Sequence, residues 1–295
     1  MERGRSPVTT RSGPRRVLGL AAFGAASLLA LTACSSSSDG GSSASDTPSA
    51  SASSGSAASA PASSDSASAQ VNGTVTVFAA ASLKESFTTL GKDFESAHPG
   101  TKVVFNFGGS DTLAASITSG APADVFAAAS PKTMKTVTDA GDATGMPVTF
   151  ARNQLEIATL PGNPHHIASL KDLTGSGLKV ALCAKTVPCG SAAQTALTAA
   201  HLSLTPVSYE QDVKSALTKV ELKEVDASVV YKTDVKAAGG KVDGVDFPES
   251  AGAINAYPVA ALKGAPNTAG AQAFIALVTS AQGQQVLQQA GFLHP

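Results

Sequence analysis

TVTVFAAASLKESFTTLGKDFESAHPGTKVVFNF, residues 74–107, is the stretch whose reading decides the fold. Residues 74–80 alternate β-branched and apolar side chains and predict a strand. Residues 82–97 predict a helix, because Leu83, Phe87, Leu90 and Phe94 fall on one face at helical spacing. Ser82 is expected at its N-cap, with Glu85 three residues on completing a capping box. Pro99 and Gly100 end the helix, and residues 101–107 predict a second strand.

The same alternation runs outward from this unit. Gly108-Gly109-Ser110 leads into a helix carrying Leu113 and Ile117, residues 123–128 read as a short buried strand, and Pro131 opens the next helix. Further strands are expected at 155–160, 178–183, 227–231, 242–247 and 253–262. Helices are expected at 191–200 and 211–220, with one or two more across 268–290. Strands alternating with helices at this spacing imply an α/β protein with mainly parallel sheets and helices on both faces.

Upstream of this body the chain reads as a leader and a tether. Arg3, Arg5, Arg11, Arg15 and Arg16 precede an apolar run over residues 17–31, which ends in Leu31-Thr32-Ala33-Cys34. A basic start, a short apolar core and small residues before a cut describe a secretory signal over residues 1–33. The run is shorter than the about 20 residues needed to span a bilayer. Leu-Thr-Ala-Cys resembles the lipobox of bacterial lipoproteins, and that resemblance makes Cys34 the lipidated N-terminus of the mature chain. Residues 34–73 follow as a Ser/Ala/Gly/Pro-rich tether too poor in apolar side chains to order itself. The expected location is therefore extracytoplasmic, anchored to the cell membrane through lipid on Cys34.

Composition excludes some partners. The formal net charge is −1; losing residues 1–33 takes away five arginines and one glutamate and leaves −5. An acidic body offers no basic face to nucleic acid. With no tryptophan and three tyrosines it offers no stacking platform either.

Chemistry is expected beyond the carboxyl ends of strands, where open α/β sheets hold ligands. Ser82 and Ser110 both follow strands and begin helices, so each presents a hydroxyl and free amides at a positive helix terminus, a ready anion site. The bland alternative is that both only cap their helices.

FAAASLKESF (residues 78–87) and FGGSDTLAASITSGAPADVFAAAS (107–130), with VPCGSAAQTAL (187–197), DVKSAL (212–217), ASVVYKTDV (227–235) and INAYPVAAL (254–262), recur in order and spacing across the whole body. In this the chain resembles the molybdate-binding proteins of bacterial ABC transporters. The resemblance implies a two-lobed periplasmic-binding-protein fold of type II, each lobe a mostly parallel sheet flanked by helices. Lobe one would span 74–152 and 252–295, and lobe two 153–251. It implies five ligand contacts: the hydroxyls and amides of Ser82 and Ser110, the backbone amides of Cys189 and Val213, and the Tyr231 phenol. It also implies a permease and its ATPase as partners, a monomeric binding protein rather than an enzyme, no cofactor, and no protein side chain ligating a cation.

The chemistry is coherent on its own terms. Molybdate is fully deprotonated near neutrality and only accepts hydrogen bonds, and these residues only donate. Hydrogen bonds to a charged group contribute about 1.5–3 kcal/mol each, so several suffice without an arginine. Hydrogen phosphate carries a proton and would want an acceptor, which Asp111 would supply if it pointed inward. Tungstate matches molybdate; sulfate differs in size and stands as the alternative cargo. No G-x-S-x-G elbow marks either serine as a hydrolase nucleophile. Cys183 and Cys189, a short-spaced pair in an oxidising compartment, read as a disulfide, with free thiols as the alternative. Lys84, Lys132, Lys185 and the His165-His166 pair read as solvated surface groups.

Overall fold

The structure is a computed structural model that describes residues 71–295. The leader, Cys34 and the tether as far as Gln70 lie outside the described residues.

The first sheet contains β1 (Gly73–Ala80), β2 (Thr101–Gly108), β3 (Val125–Ala127), β4 (Ala143–Asn153) and β10 (Asn255–Leu262), in the order β2-β1-β3-β10-β4. The second contains β5 (Leu155–Thr159), β6 (Val180–Cys183), β7 (Ser208–Glu210), β8 (Ala227–Tyr231) and β9 (Asp243–Val245), in the order β7-β6-β8-β5-β9. Both sheets follow one plan. In the first, β1 pairs in parallel with β2 and β3, and only β10 runs against the rest. In the second, β6 pairs in parallel with β7 and β8, and only β5 is reversed. Four strands of five therefore share a direction in each sheet, as the strand–helix alternation requires.

The chain leaves the first sheet after Asn153 and enters the second at Leu155; it returns to the first at Asn255. The two crossings lie side by side, because Asn153 and Asn255 are register partners in the β4–β10 ladder. This paired crossover is the geometry of a hinge.

Helix α1 (Lys84–Ala97) shows why its sequence folds as it does. Phe87, Leu90 and Phe94 are 0–1% exposed, on the one face that the spacing selects. Phe87 lies 5.7 Å from Phe274 and 5.8 Å from Phe150, centroid to centroid, so it ties α1 to β4 and to α7 (Thr268–Thr279). Truncating such a side chain costs about 3–5 kcal/mol. The chain ends in α7 and α8 (Ala281–Ala290), separated at Ser280, whose Oγ accepts from the Gly283 N–H. A separate apolar core fills the second half around Leu155, Ile157, Val180, Val229 and Val230.

Several expectations need correction. Ser82 does not cap α1. It sits inside a 3-10 turn, Ala81–Leu83, and Leu83 holds the N-cap position without a side-chain cap. Ser110 is likewise the first residue of α2 (Ser110–Thr118), with Gly109 at the N-cap. In both cases the hydroxyl is occupied elsewhere. Strand β4 had no counterpart in the sequence reading, since Gly145 and Pro147 interrupt its alternation; proline is tolerated there because β4 is an edge strand. The helix expected from residue 191 is α4 (Pro188–Ala199), which starts earlier because Pro188 suits the first helical position.

Candidate functional site

A small, narrow cavity opens between the carboxyl ends of the two sheets, where α/β sheets present ligand sites. Its walls include Ser82, Ser110, Cys189, Val213 and Tyr231. All five residues expected from sequence therefore converge, two from the first half and three from the second.

Each is placed by a strand end or a helix start. Ser82 follows β1 and is 4% exposed; Ser110 begins α2 and is 1% exposed. Cys189 lies in the first turn of α4, and Val213 is the first residue of α5 (Val213–Glu221). Amides in a first helical turn have no carbonyl of their own helix to bond, so they remain available at the positive end of the helix dipole. Tyr231 closes β8 and is 1% exposed.

Cys183 and Cys189 are joined by a disulfide that ties the end of β6 to the start of α4. Gly190 lies so close to the Cys183–Ala184 backbone that a Cβ there would collide with it. The Cys189 amide is thus held by a covalent link and by a close backbone approach.

Hydroxyl partners define the site further. The Ser110 Oγ accepts from the Ala129 N–H at 3.0 Å. The Ser82 Oγ shares a hydrogen bond of 2.9 Å with the Tyr257 hydroxyl. The Tyr231 hydroxyl accepts from Asn255 Nδ2 at 2.8 Å. Asn255 Nδ2 also donates to the Ala129 carbonyl at 2.8 Å and approaches the Pro188 carbonyl at 3.4 Å, so this one amide touches both halves. Burial holds the Tyr231 phenol well above its ordinary pKa, helped by neighbouring Tyr257, and burial raises Tyr257 likewise. Both therefore keep their protons at physiological pH.

Among the described residues no lysine, arginine or histidine lines the cavity. Asp212 does, but its carboxylate is turned to its own helix. Oδ1 accepts from the Ser215 N–H and Oδ2 from the Ser215 hydroxyl, both at 2.9 Å. Asp111 is not among the lining residues, but its Oδ1 is buried without a hydrogen-bond partner beside Gly109 of the cavity wall. A wider outer groove adjoins the cavity through Ala81 and Asp212 and carries Lys84, Glu210, Lys214 and Lys219.

Beside the cavity the two halves meet through charge. Lys214 Nζ lies 2.9 Å from Glu85 Oε2 and 3.1 Å from Asp234 Oδ1. Glu85 thus reaches across to α5 instead of capping α1. Burial raises the fully buried Asp234 carboxyl to about 6, against the pull of Lys214. Burial acts to lower Lys214, but Asp234 and Glu85 outweigh it and hold the ammonium above its usual range.

Asn153, Asn255, Tyr257, Lys214 and Asp234 escaped the sequence reading. Asn255 and Tyr257 carried one usable signal: they are two apart on a strand and so share a face. The others are joined only by long-range pairing.

Comparison with known proteins agrees with this geometry. The family of bacterial extracellular solute-binding proteins matches residues 75–293. The molybdate-binding protein ModA of Mycobacterium tuberculosis H37Rv is 44% identical over 222 residues, covering 75% of this chain and 85% of that protein. Among solved structures, the periplasmic molybdate-binding protein of Azotobacter vinelandii superposes with a TM-score of 0.67 at 22% identity, covering 75% of this chain and 99% of the other. The sulfate-binding protein SubI of M. tuberculosis gives 0.62 at 19% identity, covering 75% and 86%. At these identities the two structures speak for the fold alone, whereas the family match and the 44% relative reach further. Two sheets hinged at a paired crossover, a donor-lined cavity between them and a match over nearly the whole described body place this chain in the family of bacterial extracellular solute-binding proteins.

Proposed function

We propose that the chain captures molybdate, and with it tungstate, in the cavity between its two lobes and delivers it to a membrane permease driven by an ATPase. One observation carries this reading. Hydroxyls and helix-terminal amides from both halves converge on one cavity; among the described residues its walls carry no cation, and the carboxylate of Asp212 is already bonded to Ser215. Such a lining suits an ion that only accepts hydrogen bonds. The ligand named for the 44% identical mycobacterial relative supports molybdate over sulfate. The sulfate-binding neighbour shares the fold at 19% identity and carries no ligand assignment to this chain.

Capture rather than catalysis fits the serine environments. The Ser82 and Ser110 hydroxyls meet a phenol and a backbone amide, not a base that would remove their protons. The lobes follow the sheets, with boundaries near residues 153 and 254, and a ligand held by both favours the closed arrangement. The lipobox supports anchoring through Cys34, with the tether holding a monomeric body off the membrane. Among the described residues no helix is long and apolar enough to cross a membrane.

A thermal-shift panel tests the reading. At 100-fold excess over Kd, a ligand that binds only the native state stabilises it by about 2.7 kcal/mol. Molybdate and tungstate should raise the melting temperature and hydrogen phosphate should not. A shift with sulfate alone would transfer the assignment to sulfate.

A further inference from the structure

Hydroxyl groups are ambiguous partners, since each can donate or accept. A site built on three of them rejects protonated anions only if something fixes which way each hydrogen points. In this molecule β10 supplies that constraint. The Ser110 oxygen already accepts from the Ala129 N–H, a group that can only donate. The Tyr231 oxygen accepts from Asn255 Nδ2.

Asn255 cannot be turned over. Its Nδ2 faces the Ala129 and Pro188 carbonyls, and an oxygen in that place would meet two acceptors. Asn153 is fixed in the same way: its Oδ1 accepts from the Gln154 N–H, while its Nδ2 donates to Thr233 Oγ1 at 2.8 Å and approaches the Tyr257 hydroxyl at 3.4 Å. With a donor behind it, the Tyr257 oxygen has its own proton free for the bond to Ser82, in which either oxygen can donate. Each of the three site hydroxyls thus has a hydrogen-bond partner at its back, and the Tyr231 and Tyr257 hydroxyls also neighbour each other.

We propose that Asn255 and Tyr257 are positioning residues that set the specificity of the cavity, locking the hydroxyls of Tyr231, Ser110 and Ser82 as donors so that only tetrahedral oxyanions without a proton are accepted. Asn255 acts on Tyr231 directly and on Ser110 through the Ala129 residue it clamps. Tyr257 acts on Ser82. The inference rests on the oxyanion reading of the cavity.

Its test is calorimetric titration of wild type, Asn255→Asp, Tyr257→Phe, Tyr231→Phe and the Asn255→Asp/Tyr231→Phe double variant with sodium molybdate and with sodium phosphate near neutral pH. Asn255→Asp keeps the shape but replaces the donor by an acceptor, which draws the Tyr231 proton away from the cavity; its added charge repels both anions alike, so the molybdate-over-phosphate preference is the readout. Molybdate affinity should fall by about 10- to 100-fold, the worth of one hydrogen bond to a charged group. Phosphate affinity should hold or rise, narrowing the preference at least 10-fold. Tyr257→Phe keeps the ring between Tyr231, Phe150 and Phe292 and removes only the hydroxyl, so it folds even where Asn255→Asp does not. It should narrow the same preference by about 3- to 10-fold. In the Tyr231→Phe background, Asn255→Asp should cost under about 3-fold, since the proton it acts on is gone. Equal losses for both ions, or costs that simply add, would overturn the proposal and leave the oxyanion reading intact. A wild type that takes both ions alike would overturn the proposal alone, and one that takes neither would refute the oxyanion reading and the proposal with it.

Discussion

Closure of the two halves is most directly perturbed at Gly109. Its backbone, φ −61° and ψ 130°, suits any L-residue, so Gly109→Ala introduces no local strain. The obstacle lies across the cleft. A Cβ at this position would collide with the Gln211 carbonyl oxygen and would stand 2.8 Å from Asp111 Oδ1 and 3.3 Å from Val187 Cγ1. Asp111 can swing away, but Gln211 and Val187 belong to the second half and flank its ligand amides. Ordinary contact begins at 3.4 Å, so the halves must part here to admit the methyl group. That displacement is shared by Cys189, Val213 and Tyr231, and weakens whichever donors the ion leaves behind. Loss of a single charge-assisted hydrogen bond, about 1.5–3 kcal/mol, raises Kd roughly 10- to 150-fold. Calorimetry suits the measurement, as the chain has no tryptophan to report binding by fluorescence. The ligand-free variant should match wild type within about 0.5 kcal/mol of unfolding free energy. Wild-type affinity in Gly109→Ala would refute the reasoning that these halves close on the ligand as a fitted pair.

Three further outcomes are expected. Ser110→Ala removes a proposed ligand donor and strands the buried Ala129 N–H, so Kd should rise about 10-fold or more and urea unfolding should show a loss of about 1–3 kcal/mol. Cys183→Ser with Cys189→Ser should cost about 2 kcal/mol in unfolding free energy and weaken molybdate binding, because the covalent hold on the Cys189 amide is lost. Asp234 has a folded pKa of about 6 against an ordinary 3.8, so between these values the native state holds a proton that the unfolded chain releases. Its contribution is therefore present at low pH and lost as pH rises through about 6, by up to about 3 kcal/mol. Denaturant curves from pH 4 to pH 7 should show that decline in wild type relative to Asp234→Asn.

Much of this was legible in the chain itself. The spacing of Leu83, Phe87, Leu90 and Phe94 fixed α1 because one buried face is a strictly local pattern. The strand–helix order fixed the α/β class, and the five residues singled out by the motifs line one cavity. Local reading failed where long-range partners took over. Ser82 has the form of a cap, yet Tyr257, 175 residues away, holds its hydroxyl. Glu85 has the form of a capping-box acid, yet Lys214 draws it across the cleft. Asn255 and Tyr257 looked like ordinary strand positions, because what distinguishes them is the set of hydroxyls that the fold brings against them.

Diffraction from crystals grown with molybdate, recorded at the molybdenum absorption edge, puts the central claim to its hardest trial. A single strong anomalous peak should stand within hydrogen-bond reach of the Ser82, Ser110 and Tyr231 hydroxyls and the Cys189 and Val213 amides. No peak there, or one held by lysines on the outer surface, would contradict the account.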